Sequence, residues 1–167
     1  WGRRKFLFFY FSAGLGAAGL QLLAYHIEIQ SVFTLLDSNG ISFQDFKEIL
    51  SSGSYNTAIL KYVDEESLTS AYSAYNSSLV GASGAIYGIL VAFAFSFPNS
   101  ELMLLFPPIP VKAKYLVPGL ILMDLFFGFS SYSLGPIAHF AHVGGAISGF
   151  LMVWYWRRNQ FNNNRWN

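Results

Sequence analysis

Two residues of this sequence, Ser83 and His142, have the types and the surroundings that covalent catalysis needs. Ser83 lies in the run GASGAIYG (81–88), and His142 lies in the run AHVGGAISG (141–149). A serine hydroxyl is a weak nucleophile until a base takes its proton, and a neutral histidine is the commonest such base. The chain has no cysteine, which excludes a thiolate nucleophile, a disulfide and a thiolate metal site. The sequence therefore favours acyl-transfer chemistry by a serine.

Other residues with reactive side chains leave alternatives open. His139 lies three residues before His142 and competes as the base, although a bond to water or to a carbonyl is its more ordinary role. No acid is close to His142 in the sequence and nothing aims Asp124 at it, so we infer a Ser–His dyad without a third member. His26 is expected to be an interfacial residue. Because a lone serine in a membrane helix usually only packs, the hypothesis rests on the pair and not on Ser83 alone.

Long uncharged stretches indicate that the chain crosses a membrane. Apolar residues make up 53% of the chain and charged residues 11%, whereas an ordinary soluble domain has about 25% charged residues. Four apolar runs contain no charge apart from Asp124 in the third: 6–27, 79–97, 115–132 and 137–156. A helix needs about 20 apolar residues to cross a hydrocarbon core of about 30 Å. We therefore predict an all-α, polytopic membrane bundle with four transmembrane helices in a single domain, 1–167.

Basic residues predict the orientation of these helices. Most of the ten lysines and arginines flank helix ends that share one side of the membrane if the four helices alternate in direction: Arg3, Arg4, Lys5, Lys112, Lys114, Arg157, Arg158 and Arg165. The positive-inside rule assigns that side, and with it the C-terminus, to the cytoplasm. The segment 30–78 is then extracytoplasmic, and the pattern fits a bacterial inner membrane. The net charge of +1 indicates no nucleic-acid partner.

The segment 30–78 is predicted to be a solvated loop insertion with one short helix. The run SFQD (42–45) resembles a capping box ahead of apolar residues. The acidic and amide residues of 37–45 also suggest a calcium loop. However, Gly40 is one place out of register and no glutamate closes the loop. A polar turn before a helix is therefore the preferred interpretation, and no metal is predicted.

Glycines predict contact between the second and the fourth helix. Each helix has one pair with the GxxxG spacing: Gly84 with Gly88, and Gly145 with Gly149. Small residues at this spacing let helix backbones approach closely in membranes. Both helices run inward from the outer side, so Ser83 and His142 are expected at similar depth near the outer end. Tyr87, four residues after Ser83, shares its helix face and is expected to pack against the imidazole.

The two runs together resemble a known family. GASGAIYG followed about sixty residues later by AHVGGAISGF is similar to the GxSG and AHxxGxxxG motifs of rhomboid intramembrane proteases. WGRRKFLFFYFSAGLGAAG resembles the third helix of that family's six-helix core, and FPPIPVKAKY resembles its cytoplasmic connection. The resemblance covers about two thirds of the chain, everything except the outer segment.

The resemblance implies a serine endopeptidase that cleaves transmembrane protein substrates near the outer face of the lipid bilayer, without metal or cofactor. It assigns four roles: the nucleophile to Ser83, the base to His142, support of the base to Tyr87, and the loop glycine before the nucleophile to Gly81. The Ser83 backbone N–H would contribute to the oxyanion hole. Gly145 and Gly149 would serve the close packing of the two helices that carry these residues.

The chain departs from the family pattern at its start. The first two helices of the family core, which carry the His and Asn that complete the oxyanion hole, have no counterpart here. Sequence upstream of Trp1 is therefore expected, and the 167-residue chain is expected to be inactive alone. Two other functions stay open. One is a rhomboid-like pseudoprotease that binds membrane clients, and the other is a transporter or channel fragment in which Asp124, His139 and His142 form a proton path.

Overall fold

The chain is mostly helical, with one small hairpin. The computed structural model describes residues 1–78, 82–104, 108–129 and 138–159. Those ranges contain six α-helices, one 3-10 helix and two strands: α1 (Arg3–Asp37), α2 (Phe43–Ser52), the 3-10 helix (Thr57–Lys61), α3 (Glu65–Asn76), α4 (Ser83–Ser96), β1 (Glu101–Met103), β2 (Pro110–Lys112), α5 (Ala113–Phe129) and α6 (His139–Arg158). The two strands pair antiparallel. This short ladder is an addition to the all-α prediction.

Helices α1, α4, α5 and α6 lie in the four predicted spans, with different bounds. α1 continues to Asp37, ten residues past the predicted end. Its last turns bury Val32 and Leu36 in a hydrophobic core, which stabilises the added helix. Among the described residues, α1 is long and apolar enough to cross a membrane, and α4 is a shorter apolar helix. The number of four spans stays a prediction.

The chain forms two compact units. The first, which we call the bundle unit, consists of Trp1–Gln21 and Val80–Asn167, and the second, the insertion unit, is Leu22–Leu79. The boundary falls inside α1, so this helix contributes its first half to one unit and its second half to the other. The candidate catalytic residues all belong to the bundle unit.

α1 packs into the bundle unit through one narrow stripe. Phe9, Ala13, Ala17 and Gln21 are all buried, and their spacing of four residues puts them on one face of the helix. A Cβ added at Gly84 would meet the Ala17 side chain. Ala13, one turn earlier in α1, lies in the same way against α4. Small side chains on both helices therefore let α1 approach α4 closely.

α4 and α6 approach each other through the paired glycines. A Cβ at Gly145 would overlap the carbonyl group of Gly84, and a Cβ at Gly149 would overlap the backbone of Gly88. Gly144 faces the other way, and a Cβ there would lie 2.7 Å from a carbonyl oxygen of α1. Because no side chain fits at these positions, the helices meet backbone to backbone.

Large apolar side chains lie exposed on the surface of the bundle unit. They include Phe11, Leu15, Leu122, Phe126, Phe150 and Leu151. A monomeric protein in water rarely exposes so extensive an apolar surface. Lipid tails are the surroundings that match it, and the surface therefore supports the membrane assignment.

The basic residues of the bundle unit gather at one end. Lys5 Nζ lies 4.9 Å from the centre of the Trp156 ring, and Arg157 donates a hydrogen bond of 3.4 Å to the carbonyl of Phe95. The first turn of α5 is hydrogen-bonded to the segment that follows α4. The start of α1, the ends of α4 and α6 and the start of α5 thus lie together. Arg165 lies outside the described residues, and the side of the membrane that this end faces stays a prediction.

The insertion unit has a hydrophobic core of its own. The end of α1, α2, the 3-10 helix and α3 supply its buried side chains: Val32, Leu36, Phe46, Leu50, Ile59, Val63, Leu68 and Ala71. Ser42 caps α2 as predicted, since its Oγ accepts a hydrogen bond from the Asp45 N–H, and the Asp45 carboxylate accepts one from Ser42 Oγ. α2 ends at Gly53, whose φ of 72° is left-handed and favours glycine. The segment is therefore a folded helical unit with more than the one short helix predicted.

The glycine contact predicts that Gly145→Ala destabilises the bundle unit. The added methyl group would overlap the carbonyl of Gly84, and overpacking of this kind costs about 1–3 kcal/mol. Thermal unfolding of the full-length protein in detergent micelles should show a lower Tm. Gly19→Ala is the matched control, because a Cβ at Gly19 has no atom within 4 Å. Equal Tm shifts for the two variants would contradict the contact.

The core of the insertion unit predicts a contrast between two phenylalanines of α2. Phe46 is 1% exposed and Phe43 is 58% exposed, so Phe46→Ala should cost about 3–5 kcal/mol and Phe43→Ala much less. Hydrogen exchange followed by mass spectrometry should show faster exchange across α2 and α3 in the first variant only. Unchanged protection in Phe46→Ala would show that this segment has no cooperative core.

Candidate functional site

Ser83 is the first residue of α4, and its side chain is exposed. Amides at the start of a helix have no partner within the helix, which makes such an end a favourable place for negative charge. The residue before it, Ala82, gives no side-chain cap. The Ser83 N–H is thus one of the amides at this helix start, and its part in an oxyanion hole stays a prediction. Gly81, the predicted loop glycine, lies outside the described residues.

His142 lies one turn into α6, and its ring stacks on Tyr87 of α4. The ring centres are 4.2 Å apart and the ring planes differ by 5°. This is the contact expected of Tyr87, and it restricts rotation of the imidazole. Ser83 lies one turn closer to the start of α4 on the same face as Tyr87. The stack thus brings His142 to the helix face that carries the serine.

Ser83 and His142, the predicted nucleophile and base, lie on two helices that pack against each other. Within the described ranges, no hydrogen bond joins Ser83 to His142. Catalytic hydrogen bonds are often long in ligand-free structures and shorten when substrate binds. The arrangement therefore brings His142 to the helix that carries Ser83, and the Ser–His pair stays a prediction.

His139 faces a different helix. It is 8% exposed, and its ring lies 5.9 Å from the ring of Phe127 on α5. Its Nε2 has no hydrogen-bond partner among the residues described. Of the two histidines, His142 is the one that contacts the helix of Ser83, and it is the better placed candidate base.

The carboxylate of Asp124 contacts both histidines. Its Oδ1 lies 2.7 Å from His139 Nδ1 and 3.0 Å from His142 Nδ1. The Asp124 side chain is buried, and a buried carboxylate is costly unless it is paired or hydrogen-bonded. The expectation that no acid accompanies His142 is therefore wrong. The available signal was the charge itself, since Asp124 is the one acid in the four predicted spans and an acid inside a membrane indicates function.

The same three side chains are the group in the described structure that could hold a metal ion. Their ligand atoms lie within 4.8 Å of one another. Tetrahedral zinc with Zn–N bonds of about 2.0–2.1 Å separates its ligand atoms by about 3.3 Å. The separations of 2.7 and 3.0 Å are hydrogen-bond lengths. The geometry thus favours hydrogen bonding, and the prediction of no metal stays a prediction.

Gln21 is a further polar residue at this end that sequence reasoning did not single out. Its Oε1 accepts a hydrogen bond of 2.9 Å from the Ala141 N–H, in the first turn of α6 and next to His142. Gln21 is buried, and side-chain hydrogen bonds between helices hold membrane bundles together. The sequence signal for Gln21 was that it is the one amide side chain in the apolar run 6–27.

Comparisons with known proteins agree with the two motifs. A family model described as "Rhomboid domain" matches residues 57–159. "Rhomboid protein 1, mitochondrial" of Saccharomyces cerevisiae is 32% identical over 78 residues, which are 46% of this chain and 21% of that protein. The chain thus spans about a fifth of the length of this curated relative. No solved structure matches the chain.

The ring stack predicts a contrast between two replacements of Tyr87. Tyr87→Phe keeps a ring over His142, whereas Tyr87→Ala removes it and frees the imidazole. In NMR spectra of the full-length protein with labelled histidine, the ring protons of His142 should move downfield in Tyr87→Ala, because the ring current of the stacked aromatic is lost. They should stay near their original positions in Tyr87→Phe. Identical spectra for all three proteins would show that the rings do not stack.

Proposed function

We propose that this chain, which belongs to the rhomboid family, is part of an intramembrane serine endopeptidase that cleaves transmembrane proteins near the outer face of the membrane. The observation that carries the proposal is the stack of His142 on Tyr87, which holds a histidine beside the helix face of Ser83. The family supplies the reaction class, and members of this family act within the bilayer on transmembrane substrates. Ser83 is the proposed nucleophile and His142 the proposed base.

The proposed reaction is acyl transfer in two steps. In the first, His142 takes the Ser83 proton while Oγ bonds to the carbonyl carbon of the scissile peptide. The resulting oxyanion is stabilised by N–H donors, including that of Ser83. The C–N bond then breaks as His142 gives its proton to the leaving amine. In the second step His142 takes a proton from water as the hydroxide attacks the ester. The C–O bond to Ser83 then breaks, His142 returns the proton to Oγ, and the acid is released.

The ends of the bundle unit support the proposed orientation. Ser83 and His142 lie near the starts of α4 and α6, and the basic and tryptophan-rich end lies at the ends of these helices. α4 is 14 residues long, so about 21 Å of helix separates the two ends. With the basic end inside, the serine is close to the outer surface, from which water reaches it.

The type of membrane, as distinct from membrane location, is proposed from charge alone. The positive cluster at one end supports a bacterial inner membrane with a cytoplasmic C-terminus, and the four-span arrangement belongs to the same proposal. The asymmetry is equally compatible with the mitochondrial location in the name of the yeast relative. Segment 30–78 is placed outside in either case.

A second candidate is a rhomboid-like pseudoprotease that binds membrane clients without cutting them. Such a function does not need a hydrogen bond between Ser83 and His142, and the described residues show none. Presence of both side chains on contacting helices favours the protease. Activation of the serine separates the two functions, because a binding protein has no use for an activated nucleophile.

Covalent labelling tests the proposal. A fluorophosphonate probe should label the full-length protein at Ser83, because an activated serine attacks phosphorus with loss of fluoride. Labelling should disappear in Ser83→Ala and fall at least about 100-fold in His142→Ala, the lower end of what general-base catalysis contributes. Ser96→Ala, at the opposite end of α4, is the matched control and should label normally. Absence of labelling in the folded wild-type protein would favour the pseudoprotease.

A further inference from the structure

We infer that Asp124 is a positioning residue for His142: its carboxylate holds the Nδ1 edge of the imidazole and turns the Nε2 edge to the reacting serine. The inference rests on the proposed function and adds a member to the Ser–His pair. It is carried by the contact of 3.0 Å between Asp124 Oδ1 and His142 Nδ1. The two residues are on different helices, α5 and α6, so the contact also ties these helices together.

The chemistry of the contact fixes the tautomer of His142. An ionised carboxylate only accepts hydrogen bonds, and a neutral imidazole has one N–H and one bare nitrogen. Oδ1 therefore requires the proton on Nδ1. Nε2 is then left with the lone pair that a general base needs, and the imidazolium formed during the reaction gains a neighbouring negative charge.

His139 is a further neighbour of the carboxylate, besides His142 and the Tyr87 side chain. Its Nδ1 lies 2.7 Å from the same Asp124 oxygen, a length typical of charge-assisted hydrogen bonds. One carboxylate oxygen has two lone pairs and accepts from both histidines. His139 is thus a second donor that stabilises the buried charge, and its own ring is held against Phe127. The two histidines have unequal roles although they share one partner.

The backbone of α5 is shaped for this contact. Gly128 lies one turn after Asp124 on the same face, and a Cβ there would lie 3.2 Å from the Phe140 ring and 3.4 Å from His139 Cβ. The first distance is tighter than ordinary side-chain contacts, and the second is at their lower limit. The absence of a side chain at this position lets α5 come near enough to α6 for the short carboxylate to reach both imidazoles.

The first experiment measures the tautomer directly. ¹⁵N NMR of histidine-labelled, full-length Ser83→Ala protein should show His142 with its proton on Nδ1. In the same background Asp124→Asn should shift the proton to Nε2, because the amide can donate to Nδ1. The exposed acid Asp37 supplies the matched control, and Asp37→Asn should leave the spectrum unchanged. A proton on Nε2 of His142 with Asp124 intact would overturn the inference. This measurement does not depend on whether an Asp124 variant folds.

The second experiment measures the consequence for reactivity. With Ser83 present, Asp124→Asn should lower the maximal rate of fluorophosphonate labelling by about 10²–10⁴-fold, while the probe concentration at half-maximal rate stays the same. Asp124→Glu should recover part of the rate because it keeps the carboxylate. An unchanged maximal rate in Asp124→Asn would overturn the positioning role. Loss of labelling after EDTA treatment, with recovery after addition of Zn²⁺, would also overturn it. Asp124, His139 and His142 would then hold a cation.

The two proposals fail in different ways. If the wild-type protein is not labelled at Ser83 while His142 carries its proton on Nδ1, the protease function fails and the carboxylate–histidine contact stands. If Ser83 is labelled and Asp124→Asn reacts at the wild-type rate, the protease function stands and the positioning role fails.

Discussion

The contact between the backbones of α4 and α6 is the constraint on which the site depends. Gly145 lies against Gly84 with no side chain between them, whereas helices separated by ordinary side chains have axes about 8–10 Å apart. Only at short separation can the ring of Tyr87 lie flat on that of His142 with their centres 4.2 Å apart. The glycines take no part in the chemistry themselves. They set the distance at which the residues of two helices can act together.

Hydrogen bonds fix α6 from two further sides at the same end of the bundle unit. Gln21 of α1 accepts from the Ala141 N–H, and Asp124 of α5 contacts His139 and His142. Unpaired polar groups are costly in low-dielectric surroundings, so each contact strongly favours one arrangement of its two helices. Along the middle of α6 the packing is apolar, and at its other end the exposed Arg157 side chain donates to the Phe95 carbonyl. The buried polar contacts therefore lie where the position of a side chain matters most.

The sequence predicts features that depend on short spacings, and it predicts them well. The glycine pairs, the capping box at Ser42 and the place of Tyr87 one turn after Ser83 all follow from residues three or four apart. The contact of Asp124 does not, because it depends on the rotation of α5 against α6, which no local spacing encodes. The core of the insertion unit was missed for a related reason. Its side chains, from Val32 to Ala71, are scattered over four short helical pieces without a common period.

The buried carboxylate also bears on how the protein enters the membrane. During synthesis α5 leaves the ribosome before α6, so Asp124 has neither histidine to contact at that moment. An unpaired aspartate near the middle of a helix opposes insertion by about 2.5–3.5 kcal/mol. Insertion of α5 is therefore favoured when α6 follows as its partner in a helical hairpin. With α5 and α6 as membrane spans, as proposed, Asp124 would thus couple the biogenesis of these two helices.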